Sequence, residues 1–142
     1  MVARNDKLDL GFKSFKLSRS NYRQWNVITD KDDEKKLKAQ MKLFVEKPLV
    51  DNYDEKSVVY EILTKEGFDL NATVEQTKIG KLEVWKISDS ERKVVVTFAK
   101  KLTKDQVDSL SLSENDTFVC LDSALDDTTK VNLVRNYNIK VI

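Results

Sequence analysis

The sequence predicts an α/β fold, in which a mixed, partly parallel sheet has helices packed on it. Two short apolar runs, 94–99 and 117–121, have the composition of strands that are buried on both faces. A helical pattern separates them, and a second helical pattern leads to a last apolar run at 139–142. Three strands joined by two helices in this way make two βαβ crossovers, which place neighbouring strands parallel.

The length of 142 residues fits one domain, which we expect to span residues 1–142. Residues 1–50 are predicted to supply an N-terminal strand and helix, and residues 51–142 the remaining α/β core. The complete predicted order of elements is β-α-α-β-β-β-α-β-α-β.

The first predicted strand is "GFKSFKLS", residues 11–18, whose side chains divide between two alternating faces. The run "DKDDEKK" then places acidic groups at the start of a helix and basic groups beyond it. This helix is expected to end near Pro48. Its apolar residues recur at helical spacing and are Leu37, Met41, Phe44 and Val45.

A second helix is predicted between Asp54, which suits its N-cap, and Gly67, which suits the position just beyond its end. The apolar residues expected on its inner face are Val58, Val59, Ile62 and Leu63. The following stretch, "VEQTKIGKLEVWKIS", predicts two short strands joined near Gly80.

The two helices of the C-terminal half have their own start signals. Thr103 and Gln106 make a capping box for the helix that joins the two buried strands. Asp127 is the predicted N-cap of the last helix. The residues expected on the inner face of that last helix are Val131, Val134 and Tyr137.

The composition excludes several classes of function. Lys and Arg number 25 against 24 Asp and Glu, so the chain lacks the basic excess of a protein that binds nucleic acid mainly through phosphates. The absence of His removes imidazole catalysis and imidazole metal ligands. The three glycines stand far apart, so no glycine-rich loop can hold a phosphate or a nucleotide-like cofactor.

The cellular compartment is predicted from three further observations. No apolar run approaches the roughly 20 residues of a membrane span. The N-terminal stretch "MVARNDKLDL" lacks the apolar core of a signal peptide. The single cysteine, Cys120, cannot form an internal disulfide, and its apolar neighbours indicate a small core residue. We therefore expect a cytoplasmic protein with no membrane partner.

An acidic turn after the strand at 117–121 raises the question of a metal site. Asp122, Asp126 and Asp127 offer the several carboxylates that Mg²⁺ prefers, which would suit a small Mg²⁺-dependent hydrolase or phosphotransfer domain. The same residues also suit a turn after a strand and the first turn of a helix. No second carboxylate cluster follows another strand end, so the structural interpretation is favoured and no metal ligand is assigned.

Two tryptophans and one basic run are compatible with nucleic-acid contacts but have simpler interpretations. Trp25 and Trp85 could stack on bases, although such residues more often fill cores or interfaces. The basic residues of "EKKLKAQMK" suit an ordinary solvated helix face. The residues alone therefore indicate an α/β domain without an assembled catalytic constellation.

Several stretches, taken in order, nevertheless resemble a known family. They are "LGFKSFKLSRSNYRQWN", "VVYEILTKEGFDLNATVE", "VVVTFAKKLT" and "FVCLDSALDDTTKVNLVRNYNIKVI". Together they are similar to the C-terminal domain of the modification subunit of type III restriction–modification systems. The family's helix motif is matched by Tyr60, Glu61, Ile62, Leu63, Lys65, Gly67 and Leu70. Its terminal motif is matched by Asp122, Ala124, Asp126, Asp127, Lys130 and Asn132, with Leu125 in place of Phe.

The resemblance implies a parent enzyme that transfers a methyl group from S-adenosylmethionine to the exocyclic amine of adenine in DNA. Such an enzyme needs a D-P-P-Y-type tetrapeptide for the flipped base and a glycine-containing loop for the cofactor. This chain has neither, so no catalytic or cofactor-binding residue is carried over and no activity is expected from the chain alone. In the family, this region supports assembly of the modification subunit dimer and its complex with the restriction subunit, and its link to DNA is indirect.

An interaction surface is expected in the N-terminal stretch, over residues 10–25. Its aromatic residues are predicted to contact a second copy or the upstream part of the subunit, because such residues are typical of interface cores. A strand at a sheet edge would also leave backbone groups to cover. The residues assigned to this interface are Phe12, Phe15, Tyr22 and Trp25.

Overall fold

A computed structural model describes residues 11–28 and 34–142 of the chain. Its α-helices are α1 (Glu34–Glu46), α2 (Glu55–Lys65), α3 (Lys104–Asp108) and α4 (Asp127–Val134). Its strands are β1 (Thr73–Ile79), β2 (Leu82–Ser88), β3 (Lys93–Val96), β4 (Thr117–Cys120) and β5 (Asn138–Val141). A short 3₁₀ turn, Asp122–Ala124, separates β4 from α4. Within the part of the chain described, no helix has both the length and the apolar character needed to cross a membrane.

The five strands form one mixed sheet in the order β1-β2-β3-β4-β5, which confirms the predicted mixed, partly parallel sheet. β1, β2 and β3 are antiparallel neighbours, and the β1–β2 hairpin turns at Gly80, whose φ of +60° suits glycine. β3, β4 and β5 are parallel neighbours. The predicted pair of crossovers through α3 and α4 is therefore confirmed.

The apolar core occupies both faces of the sheet, because successive residues of the central strands point to opposite sides. Val119 packs with the inner face of α2, whereas Phe118 packs with residues of α3 and α4. The sheet is thus the middle of three layers. The fully buried central strands explain why their sequences are continuous apolar runs.

Helix α2 follows its sequence signals at both ends. Asp54 is the N-cap and accepts a hydrogen bond from the backbone N–H of Ser57 at 2.8 Å. Gly67 has a φ of +73° just beyond the helix. The predicted inner face is buried and consists of Val58, Val59, Ile62 and Leu63. Beyond the helix end, Lys140 of β5 donates a 2.7 Å hydrogen bond to Glu66.

The predictions for the two C-terminal helices are confirmed for the start of α3 and partly wrong for α4. The capping box of Thr103 and Gln106 at the start of α3 is present. In α4 the N-cap is Asp126, not Asp127, because Asp126 is the last residue with extended backbone and Asp127 is already helical. The predicted inner face is wrong for Val131 and Val134, which are exposed, whereas Tyr137 packs against the core beside the buried Leu133.

The first predicted strand is not formed. Residues 11–18 have no regular secondary structure, and Phe12 is 91% exposed. Alternation of side chains produces a strand only where a neighbouring strand supplies backbone partners, and residues 11–18 pair with no strand of the sheet. The segment instead crosses over α2. Beyond the end of that helix, Lys13 Nζ donates a 2.8 Å hydrogen bond to the carbonyl of Ala72.

Helix α1 is present where the sequence predicts it and ends before Pro48, but it lies at the surface. None of its residues is buried. An apolar helical stripe normally faces a core, so this uncovered helix departs from the usual arrangement.

Candidate functional site

The candidate site is the N-terminal arm, which we define as residues 11–28 together with helix α1 (Glu34–Glu46). The arm joins the α/β core through one antiparallel bridge between Tyr22 and Leu49. In this bridge the Arg23 N–H donates to the Pro48 carbonyl at 2.8 Å, and the Val50 N–H donates to the Asn21 carbonyl at 2.8 Å. The Arg23 guanidinium also pairs with Asp51 at 2.7 Å.

Glu61 of α2 is the second attachment point of the arm. Its carboxylate accepts hydrogen bonds from the Ser20 hydroxyl at 2.7 Å and from the Asn21 backbone N–H at 2.7 Å. Burial acts to raise the pKa of Glu61, but the hydrogen bonds from Ser20 and Asn21 outweigh it and hold the pKa below its ordinary value. The ionised carboxylate is therefore part of the folded arrangement.

Tyr22 is the one predicted interface residue that faces the core. Its half-buried ring packs against the cluster beneath α2, and the Lys65 ammonium lies 3.5 Å from the ring centroid. Burial, and then the charge of Glu61, raise the pKa of the Tyr22 phenol. Tyr22 therefore helps to attach the arm to the core, and only the exposed part of its side chain is available to a partner.

Trp25 joins the two halves of the arm. Its ring lies 5.4 Å from that of Phe44 in α1, measured between centroids, and about half of the Trp25 surface stays exposed. Close by, the Gln40 side chain donates a 3.0 Å hydrogen bond to the Asn26 carbonyl. These two contacts hold α1 against residues 25–26.

Phe12 and Phe15 face outward to different degrees. Phe12 is almost fully exposed, whereas Phe15 is half exposed and meets the Tyr60 ring edge-on at a centroid distance of 5.4 Å. The structure therefore places three of the four predicted residues, Phe12, Phe15 and Trp25, on the solvent side of the arm.

The exposed apolar residues of the molecule are concentrated in this arm. Nine of the thirteen exposed large hydrophobic residues in the described chain belong to it. They are Phe12, Phe15, Leu17, Trp25, Val27, Leu37, Met41, Leu43 and Val45. Concentrated exposure of this kind marks interaction sites in soluble proteins. The sequence did not identify Leu17, Val27 or Leu43 as surface residues, because their exposure depends on which neighbours cover them.

A basic cleft lies between residues 13–21 of the arm and helix α2, with a volume of about 950 Å³. Its walls include Lys16 and Arg19 from the arm, Lys56 from α2, and the rings of Phe15 and Tyr60. No sequence signal pointed to this cleft, because its walls come from two segments that are distant in the chain.

The acidic turn does not assemble into a carboxylate cluster. Lys130 donates a 2.7 Å hydrogen bond to Asp122, which raises the pKa of the lysine. The Asp127 side chain is fully exposed, and its carboxylate lies farther from the same ammonium, at 4.0 Å. Within residues 11–28 and 34–142, no three acidic or thiol side chains meet in a way that could hold a metal ion.

Cys120 and Trp85 occupy structural positions. Burial raises the pKa of the Cys120 thiol to about 12, which leaves it a thiol at neutral pH. Trp85 is partly buried against the α2-side core, and its indole N–H donates a 3.3 Å hydrogen bond to Glu55.

Gly67 and Gly80 do not form the glycine loop that a methyltransferase needs for S-adenosylmethionine. Gly67 ends α2, where the Arg92 guanidinium donates a 2.9 Å hydrogen bond to its carbonyl, and Gly80 turns the β1–β2 hairpin. Neither glycine lies in a loop that leads from a strand into a helix, where a cofactor phosphate or carboxylate would be held.

Comparison with known proteins gives no relative: no family model matches the chain, and neither a curated protein nor a solved structure does.

Proposed function

We propose that this chain is a non-catalytic assembly domain that binds another protein through its N-terminal arm. The supporting observation is the concentration of exposed apolar residues in the arm, where Phe12 is 91% and Leu17 98% exposed. Such surface is costly to leave in water, and covering it contributes roughly 25 cal/mol for each Å² that a partner removes from solvent.

The attachment of the arm suits an assembly role. Polar contacts hold it to the core at Ser20, Asn21 and Arg23, while the apolar side chains on either side of these residues remain uncovered. An arm that is already positioned loses less conformational entropy on binding than a free segment would. Trp25 and Phe12 are the side chains best suited to be central anchors, because large aromatic residues dominate binding energy at interfaces.

The particular assembly that we propose is that of a type III modification subunit, as the resemblance implies. The partners are then a second modification subunit, the rest of the same subunit, and the restriction subunit. S-adenosylmethionine and DNA would be bound by other parts of that assembly, and the compartment would be the cytoplasm.

Sedimentation velocity tests the role of the arm. The wild-type chain is compared with a variant that carries Phe12→Ser and Val27→Ser, each chain alone and mixed with purified type III modification and restriction subunits. The matched control carries Val131→Ser and Val134→Ser, which remove two exposed apolar residues of α4. We expect association in at least one mixture, weakened about tenfold or more by the arm variant and unchanged in the control.

Two results would contradict the proposal. If the wild-type chain stays monomeric alone and in every mixture, the arm has no such partner. If the control variant weakens association as strongly as the arm variant, general surface hydrophobicity rather than the arm is responsible.

A further inference from the structure

The cleft between the arm and α2 has a charge that distinguishes it from the rest of the molecule. Five cationic and two acidic side chains line it, a net charge of +3, although the whole chain carries only +1. The cationic residues are Lys13, Lys16, Arg19, Lys56 and Lys65. A cleft that concentrates one sign of charge between protein walls attracts a partner of the opposite sign.

Both acidic residues of the cleft are already engaged in holding its walls. Asp54 caps α2 by accepting hydrogen bonds from Ser57, at 2.8 Å from the backbone N–H and at 2.7 Å from the hydroxyl. Glu61 accepts hydrogen bonds from Ser20 and Asn21 on the opposite wall. Among the described residues neither carboxylate forms a salt bridge with a lysine or arginine of the cleft, although Lys56 attracts Asp54 and Lys65 attracts Glu61 at longer range.

Three of the five cations remain unpaired. Among the described residues, Lys16, Arg19 and Lys56 form no salt bridge, although Lys56 is attracted to Asp54 at longer range. Lys16 and Arg19 lie on exposed positions of the arm. The other two are used locally: Lys13 donates to backbone carbonyls beyond α2, and Lys65 covers the Tyr22 ring. The unpaired cations come from both walls, so a ligand in the cleft would meet positive charge on each side.

The remaining surface of the cleft is apolar and aromatic. Phe15 and Tyr60 meet edge-on where the arm crosses α2, and Leu17 projects almost fully into solvent. Leu70 is half exposed at the far end. A ligand that fits this cleft must therefore offer negative charge and a large apolar group at once.

We infer that the cleft binds an acidic polypeptide segment of the partner protein that also carries a large apolar side chain. This inference rests on the proposed assembly function and names the chemistry of one contact within it. Carboxylates of the segment would pair with Lys16, Arg19 and Lys56, and its apolar side chain would lie against Phe15 and Leu17. A nucleic acid fits less well, because only three cations are unpaired and the overall charge is nearly neutral.

Fluorescence anisotropy with defined probes tests the inference. The first probe is a labelled peptide of aspartate and glutamate with a central leucine and phenylalanine. The second peptide lacks the apolar pair, and the third probe is single-stranded oligothymidylate. The variant is Lys16→Glu with Arg19→Glu, and the matched control is Lys100→Glu with Lys101→Glu, which makes the same charge change at exposed positions outside the cleft.

The expected result is that the first peptide binds the wild-type chain, and that the cleft variant raises its Kd about tenfold or more while the control variant changes it little. The second peptide should bind more weakly than the first. Circular dichroism melts establish that both variants are folded, which is expected because the substituted residues are exposed.

Three results would overturn the inference. In the first, oligothymidylate binds more tightly than either peptide and the cleft variant abolishes that binding, which would assign the cleft to nucleic acid. In the second, both charge variants weaken the peptide equally, which would indicate general attraction. In the third, no peptide binds while the arm variant still loses association in sedimentation, which would reject the cleft and leave the proposed assembly function standing.

Discussion

Asn21 donates two hydrogen bonds to Glu61, from its backbone N–H at 2.7 Å and from its side-chain amide at 2.8 Å. Both bonds reach the same oxygen, Oε1, and the Ser20 hydroxyl donates to the other oxygen. The Asn21 carbonyl accepts from the Val50 N–H in addition, so this residue connects the arm to two separate parts of the core. The position of the arm depends on this connection.

Replacing Glu61 with Ala should loosen the arm without unfolding the core. We expect a loss of about 1 to 2 kcal/mol in the free energy of unfolding, because the acceptor of charge-assisted hydrogen bonds is removed from a half-buried site. Hydrogen exchange at the Asn21 amide should accelerate in the same variant. Glu75→Ala, at an exposed position of β1, is the control and should leave both measurements unchanged.

The effect of Glu61 should depend on pH in a defined direction. The pKa of Glu61 in the folded chain lies below its ordinary value of 4.5, so its contribution to stability is complete above that value. The contribution is lost as the pH falls through the folded pKa. The difference in unfolding free energy between wild type and Glu61→Ala should therefore shrink in acid, and a difference that grows in acid would contradict this reasoning.

Two aspartates at helix starts should respond differently to substitution by Ala. Asp54→Ala removes a side-chain cap and should cost about 0.5 to 2 kcal/mol in urea unfolding. Asp127→Ala should produce no resolved change, because Asp127 is the first helical residue of α4 and its side chain is fully exposed. Equal losses in the two variants would mean that Asp127 has a capping or ligand role that the structure does not show.

Leu133 and Val134 are adjacent residues of α4 with opposite environments. Leu133 is fully buried and Val134 is 60% exposed. Leu133→Ala should lower the free energy of unfolding by about 2 to 5 kcal/mol, whereas Val134→Ala should change it by no more than about 0.5 kcal/mol. Both variants are measured by denaturant unfolding. A larger loss for Val134→Ala than for Leu133→Ala would mean that α4 is rotated about its axis.

The Cys120 thiol should be unreactive in the native chain. Burial raises its pKa to about 12 and removes it from solvent. A thiol-specific reagent at neutral pH should label the protein only when denaturant is added, and Cys120 is the only possible site. Rapid labelling without denaturant would mean that the strand β4 opens easily.

The isolated chain should bind no S-adenosylmethionine and should methylate no DNA. The reason is that the sequence contains no D-P-P-Y-type tetrapeptide and that its three glycines stand far apart. Titration calorimetry with the cofactor should show no heat of binding. Binding at micromolar affinity would require a site built from other residues.

The elements that the sequence predicted well are those with local signals. Asp54 and Gly67 mark the two ends of α2 through capping geometry, which depends only on nearby residues. The buried strands β3 and β4 were recognised from continuous apolar composition, because both of their faces are covered.

The errors concern properties that only the tertiary structure decides. Residues 11–18 alternate like a strand but find no strand to pair with. The predicted inner face of α4 is wrong for Val131 and Val134, because the packing of the helix on the sheet turns Leu133 toward the core and leaves the two valines exposed. The exposure of α1 and the basic cleft likewise depend on segments that are remote in the chain, so local patterns carried no information on them.

The strand order of the sheet has a consequence for how the chain reaches its folded state. Each strand pairs with the strand that follows it in the chain, so the sheet can grow by closing short loops one after another. Helix α2 is the exception, because its apolar face rests on strands that come later, among them β4 through Val119. During synthesis α2 leaves the ribosome before its cover exists. The apolar residues of its inner face then remain exposed to water, and accessible to a chaperone, until Val119 has emerged.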